Sequence, residues 1–198
     1  MARAAPALLQ HGWAFERALV LGPYEDTLRQ AIHALKFRGC RRIGTLLGRL
    51  LGQTLRSALE PVELIVPVPL HPARQRQRGF NQSEWIAAGL AEELGCPWVG
   101  GVLRRTLPTR QQARLDAATR VHNLRAAFQC SGQLPEAACV AVVDDVLTTG
   151  STVDACARVL RQAGARRVWA VTVASRYRRE ALAWRDARRS AAATGGSR

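Results

Sequence analysis

Two adjacent acids followed by a run of hydroxyl and glycine residues, in residues 140–152 (VAVVDDVLTTGST), carry the chemistry of a sugar-phosphate site. Asp144 and Asp145 offer carboxylates that accept hydrogen bonds from vicinal hydroxyls. Leu147, Thr148, Thr149, Gly150, Ser151 and Thr152 form a turn that opens into a helix. Free backbone amides there, with the positive end of the helix dipole, attract a phosphate monoester. The Thr and Ser hydroxyls add donors, and Gly150 lets the main chain approach closely. A ribose 5-phosphate derivative meets both requirements. Two plainer readings compete with this one. A helix N-cap needs one Ser or Thr, whereas this turn holds four. The Mg2+-holding acids of a P-loop NTPase require a GxxxxGK[ST] segment, and the sole lysine, Lys36, sits in HALKFRG instead.

The surrounding pattern predicts how these residues are held. Residues 139–143 are apolar and β-branched without alternation, as in a parallel strand buried on both faces, so the acids are expected where the sheet stops. From Ser151 the period becomes helical, with Val153, Cys156, Ala157 and Leu160 on one stripe. Upstream, residues 17–21 read as a short strand. Tyr24, Leu28, Ile32 and Leu35 mark one amphipathic helix, and Ile43, Leu46, Leu47, Leu50, Leu51 and Leu55 mark a second; together they predict an N-terminal helical hood. Residues 64–69 read as a buried strand, and 82–94 as a helix capped by Asn81 with Ile86, Leu90 and Leu94 facing inward. A further strand is expected at 123–128, and 167–174 closes the sheet. Strands alternating with helices predict an α/β fold, a parallel sheet flanked by helices with its ligand at the carboxyl ends of the strands.

Two more segments are site candidates. Pro69, Leu70 and His71 lead into Arg74, Arg76 and Arg78, a strand-end loop whose guanidinium groups suit a pyrophosphate. A solvated basic turn is the competing reading, and His71 is either an acid/base or only a polar contact. Residues 103–120 are polar and rich in Arg and Gln, contain Pro108 and have no apolar period, which is the character of a mobile lid or of a plain linker.

On these residues the chain resembles the ComF/GntX family of type I phosphoribosyltransferase-like proteins. Residues 140–152 look like the phosphoribosyl-pyrophosphate (PRPP) signature. VPVPLHPARQRQRGFNQSE (66–84), LRRTLPTRQQARLDAATRVHNLRAAF (103–128) and LKFRG (35–39) are similar to the family's other blocks, and the likeness spans about 19–174. The resemblance implies the type I phosphoribosyltransferase fold. It implies catalytic Asp144 and Asp145, a 5-phosphate site at Leu147, Thr148, Thr149, Gly150, Ser151 and Thr152, and a pyrophosphate site at Pro69, Leu70, His71, Arg74 and Arg78. Arg104, Arg105, Gln112 and Arg120 would lie on a flexible loop that closes over PRPP. The implied cofactor is Mg2+ carried by PRPP, with no direct protein ligand. The implied reaction moves phosphoribosyl to an unidentified nitrogen acceptor and releases pyrophosphate. The alternative is a non-catalytic PRPP- or DNA-binding protein of competence and DNA uptake. The family's four-cysteine zinc module is missing ahead of residue 19, so no zinc is expected.

Composition bounds the rest. A chain of 198 residues with 47% hydrophobic content suffices for one core, read as an extension (1–18), a phosphoribosyltransferase-like domain (19–175) and a basic, largely disordered tail (176–198). Lys+Arg 29 against Asp+Glu 15 leaves +14, nearly all of it arginine, which attracts polyanions such as single-stranded DNA without sequence preference. Five cysteines, odd in number and without a C-x-x-C pair, indicate neither a disulfide framework nor a zinc cage, and most are expected to be small buried apolar residues. No apolar stretch is long enough for a bilayer and no signal-peptide core forms, so a cytoplasmic location without membrane contact is expected. A homodimer is the default assembly.

Overall fold

The unalternating apolar runs become the centre of a sheet in a computed structural model, which describes residues 3–4, 12–56, 62–106, 127–132, 134 and 138–176. Five strands, β1 (Arg3–Ala4), β2 (Arg17–Pro23), β3 (Leu64–Pro67), β6 (Cys139–Leu147) and β7 (Arg167–Ser175), stand in the order β1-β2-β7-β6-β3. β2, β7, β6 and β3 run parallel, and β1 is antiparallel to β2. β4 (Leu103–Arg105) and β5 (Phe128–Cys130) make a separate antiparallel pair. β7 therefore occupies the middle of the sheet.

Helices cover both faces, as parallel sheets require. On one face α1 (Asp26–Arg38), α2 (Arg41–Leu55) and α4 (Gln82–Leu94) bury Ile32, Leu35, Leu51, Ile86 and Leu90 against Ile65, Ala141, Trp169 and Val171. On the other, α5 (Ser151–Gln162) buries Val153, Cys156, Ala157 and Leu160 against Val140, Val142, Val168 and Ala170. Phe15 and Ala18 belong to that second core, so the expected boundary at residue 18 cuts through packed structure. α1 and α2, the helices expected as a hood, pack over the first face. Ile32 and Leu35 of α1 and Leu47 and Leu51 of α2 are buried in its core, whereas Leu46 and Leu50 of the α2 stripe stay exposed.

α2 and α4 cross with their backbones in contact. A Cβ added to Gly89 would stand 2.0 Å from the Thr45 carbonyl oxygen, and one on Gly48 would stand 2.1 Å from that of Ile86. Gly89→Ala must push the helices apart, and a loss of about 3 kcal/mol is expected in chemical denaturation.

The edge at β3 is not bare. The Ile65 amide donates to the Pro97 carbonyl (3.0 Å) and the Val99 amide to the Ile65 carbonyl (3.0 Å), forming a one-residue parallel bridge to Trp98.

Several expectations about extents change. β6 continues through the acids to Leu147, paired with β7 as far as Leu147↔Ser175, whereas its pairing with β3 stops at Pro67↔Val143. The acids thus project where one neighbouring strand has ended and the other has not. The expected lid begins as β4, with Leu103 buried and Arg105 paired opposite Phe128, because a single large apolar side chain anchors a short strand without any period. The strand expected at 123–128 is β5, which starts at Phe128 and lies outside the parallel sheet; residues 121–126 are outside the described set. The cysteines divide, with Cys139 and Cys156 buried and Cys40, Cys96 and Cys130 partly exposed. Among the described residues no helix is long and apolar enough to cross a membrane.

Candidate functional site

The chain leaves β3 for α4 on one face and leaves β6 for α5 on the other, so the carboxyl ends of these neighbouring strands open a crevice of the kind where α/β sheets bind ligands. The acid pair, the turn at 148–150 and the Arg-rich segment after β3 all meet there.

The segment expected as a pyrophosphate loop is a short helix, α3 (Pro72–Arg78), after Val68, Pro69, Leu70 and His71. Pro72 stands at the first helical position, and the His71 Nδ1 accepts from the Ala73 amide at 3.2 Å, so His71 is the N-cap. No apolar period announces this helix, since none of its residues is buried. His71→Ala is expected to cost about 1 kcal/mol of stability in thermal denaturation, and His71→Asn to restore it. Arg74 and Arg76 are exposed. Arg78 is partly buried, and its Nη1 donates to Gln82 Oε1 at 2.5 Å. Burial, reinforced by the charge of Arg74 and opposed by Asp145, holds the Arg78 guanidinium below its usual pKa.

The two acids differ in environment. Asp145 is 4% exposed and both its oxygens are taken: Lys36 Nζ donates to Oδ1 at 2.7 Å, and Gln82 Nε2 donates to Oδ2 at 2.6 Å. It is turned inward, whereas both carboxylates were expected to accept hydrogen bonds from vicinal hydroxyls. Asp144 keeps part of its surface in solvent. Its Oδ1 accepts from Ser83 Oγ (3.1 Å) and from the Asp145 amide (2.8 Å), and its Oδ2 has no partner among the described residues. Burial first, and then the Asp145 charge, push the Asp144 carboxyl up to about 7, against the opposing Asp145 amide, Lys36 and Ser83.

Leu147 ends the strand buried, and Gly150 caps α5 at φ 81°, in the left-handed region. Within the turn Thr149 Oγ1 lies 3.0 Å from Ser151 Oγ, and the Ser151 amide reaches Thr149 Oγ1 at 3.4 Å. The amides of Thr148, Thr149, Gly150 and Thr152 have no acceptor among the described residues. This is the open amide set of a helix start. Thr148 and Thr149 are exposed beside it.

Of the residues expected on the flexible loop, Arg104 is exposed on β4 and the Arg105 guanidinium lies 5.3 Å from the Phe128 ring centroid. Burial lowers the Arg105 pKa, reinforced by Arg74 and opposed by the Cys156 thiol and by Asp144. Gln112 and Arg120 lie outside the described residues.

Lys36, Gln82 and Ser83 were not expected at the site. Lys36 carried a signal: it is the only lysine in a chain that otherwise uses arginine for its basic residues. Gln82 and Ser83 follow Asn81, whose Oδ1 accepts from the Ser83 amide at 3.1 Å while its Nδ2 donates to the Val68 carbonyl at 3.0 Å. That N-cap fixes the first turn of α4 under the acids.

No family model matches the chain. DNA utilization protein YhgH of Salmonella typhimurium is 37% identical over 163 residues, covering 79% of this chain and 71% of its own length. Competence protein F of Haemophilus influenzae is 34% identical over 159 residues, with 76% and 69% covered. Competence protein ComFC of Bacillus subtilis is 28% identical over 142 residues, with 71% and 56% covered. Among solved structures, glutamine PRPP amidotransferase from B. subtilis overlays with a TM-score of 0.45 at 27% identity, over 65% of this chain and 25% of that one. Orotate phosphoribosyltransferase from Aeropyrum pernix gives a TM-score of 0.45 at 23% identity, over 77% of this chain and 67% of that one. Overlays at that level carry no argument by themselves. Identity to YhgH and to competence protein F, each matched over more than two thirds of its length, is decisive: the chain belongs to the ComF family of competence and DNA-utilization proteins.

Proposed function

We propose that this chain binds PRPP in the crevice between β3 and β6 and transfers its phosphoribosyl group to a nitrogen nucleophile, with release of pyrophosphate. One observation carries the reading: Asp144, whose Oδ2 has no partner among the described residues, stands on the strand that runs directly into the amides of Thr148, Thr149, Gly150 and Thr152, which have none there either. A carboxylate for sugar hydroxyls and an amide cradle for a phosphate are thus joined by a turn of a few residues.

The roles follow from position. The amides and hydroxyls of Thr148, Thr149, Gly150, Ser151 and Thr152 hold the 5-phosphate, with Leu147 buried as the anchor beneath them. Asp144 takes a ribose hydroxyl and offsets positive charge that builds on the ring. Asp145 acts behind it, joined to Lys36 and Gln82. Arg74 and Arg78, after Pro69, Leu70 and His71, receive the pyrophosphate, and Arg104 and Arg105 flank the ligand. The ligand would carry a Mg2+ on its own oxygens, with no direct protein ligand. Such a Mg2+ would neutralise charge on the departing pyrophosphate. Transfer in this arrangement needs no covalent protein nucleophile.

Calorimetry with PRPP and Mg2+ tests the reading. The chain is expected to bind, and the double variant Asp144→Asn, Asp145→Asn to lose about 100-fold or more in affinity, as when hydrogen bonds to charged groups are removed. Equal affinity would remove both carboxylates from the site. Pyrophosphate release across a panel of nucleobases then reports turnover.

A second reading, a PRPP- or DNA-binding protein without turnover, is favoured by the net charge of +14 and by the relatives, a DNA utilization protein and a competence protein. Its mark is single-stranded DNA binding that weakens steeply with salt and persists in the double variant.

A further inference from the structure

Lys36 decides how the acid pair is presented. It sits on the last turn of α1, where Ile32 and Leu35, both 0% exposed, tie the helix to the sheet and so fix the base of the lysine stem. From there the ammonium reaches 109 residues along the chain to Asp145 Oδ1, at 2.7 Å. Gln82 closes the other oxygen and is itself held by Arg78, so α1, α3 and α4 converge on one carboxylate. A carboxylate bound at both oxygens cannot turn toward the crevice. The neighbouring Asp144 remains, with one oxygen committed and the other without a partner among the described residues.

We propose that Lys36 is a positioning residue of the sugar-phosphate site, whose ammonium fixes and neutralises Asp145 so that Asp144 alone meets the ligand as a carboxylate. The ligand in this statement rests on the reading above; the action of Lys36 on the acids does not. Without the ammonium, two negative charges sit on consecutive residues of one strand with no cation beside them, and the pair holds its proton to higher pH. The other charged and titratable groups facing Asp144 do not replace it. Asp145 adds repulsion from the same strand, Arg105 on β4 is engaged with the Phe128 ring, and Cys156 on α5 is a buried thiol held well above its usual pKa by burial and by Asp144 itself. Ser83 on α4 donates a hydrogen bond without carrying charge.

Lys36→Met keeps the stem and removes the charge, whereas Lys36→Arg keeps the charge. In the full chain without ligand, carboxyl carbon NMR follows the upper apparent midpoint of the acid pair. That midpoint is expected to rise by about one pH unit in Lys36→Met and to return most of the way in Lys36→Arg. A residue with only a packing role would lower the melting temperature and leave the midpoint in place. Should Lys36→Met fail to fold, Lys36→Gln, neutral but polar, takes its place in the same titration. Calorimetry with PRPP and Mg2+ adds a second arm: affinity of the neutral variant is expected to fall about tenfold at pH 6.5 and to recover at pH 8.5, where Asp144 is ionised again. An unmoved midpoint in a folded neutral variant overturns the assignment of Lys36. A moved midpoint in a chain that binds no PRPP overturns the sugar-phosphate reading instead.

Discussion

Asp144→Asn is expected to raise the melting temperature at pH 8 and to leave it unchanged at pH 4. Burial and the adjacent Asp145 charge raise the native Asp144 carboxyl to about 7. In the unfolded chain the same group ionises near its ordinary value, about 3.9. Between those values the native state holds a proton that the unfolded state has released. Stability therefore falls as pH rises from about 4, and the loss is complete above about 7. A shift of about three units corresponds to a ceiling of about 4 kcal/mol. Solvent reaches Asp144 on its open side, so an effect on the order of 2 kcal/mol is expected, or about 4–8 °C. Asparagine cannot ionise, and its Oδ1 still accepts from Ser83 and from the residue 145 amide. Thermal denaturation of parent and variant at pH 4, 6 and 8 checks this; a gain that is the same at all three would mean that Asp144 titrates normally. The gain would accompany loss of PRPP affinity, as when a ligand-facing group is kept at a cost to stability.

The second large effect is an asymmetry within one ion pair. The Lys36 side chain is 24% exposed and that of Asp145 is 6% exposed. Removing the lysine leaves a carboxylate in the interior with Gln82 as its remaining partner, and Lys36→Met is expected to cost about 3 kcal/mol. Removing the negative charge leaves an ammonium that reaches water at the end of a flexible stem. Asp145→Asn is therefore expected to cost only about 1 kcal/mol. Urea denaturation of the two single variants at neutral pH compares them directly, and equal losses would contradict the unequal burial of the partners.

The parts of the fold that follow one period were legible in the sequence. Residues 139–143 read as a buried strand because they show no alternation, 167–174 as the strand that closes the sheet, and α1, α2, α4 and α5 as helices because Ile32, Leu51, Ile86 and Leu160 recur on apolar stripes. The continuation of β6 was hidden, since two aspartates interrupt an apolar run and their pairing comes from Thr172 to Ser175 on another strand. α3 was hidden for the opposite reason: a seven-residue helix with no buried side chain has no stripe to display. At the site, the local motif marked Asp144, Asp145 and the turn to Thr152. It could not tell the acids apart, because the difference is made by Lys36 and Gln82, 109 and 63 residues away. A polar segment without a period concealed β4, which one buried leucine and a facing phenylalanine suffice to hold.

The bridge at Trp98 has a consequence for how copies of this chain meet. An outermost strand with free amides is a template on which another molecule can extend the ladder, and that route leads to fibres and swapped arms. Here Ile65 has spent both its amide and its carbonyl on Pro97 and Val99 of the same molecule. Registry-matched growth at Ile65 is closed in the native state, and another molecule would meet the chain's own Pro97–Val99 segment there rather than a sticky ribbon.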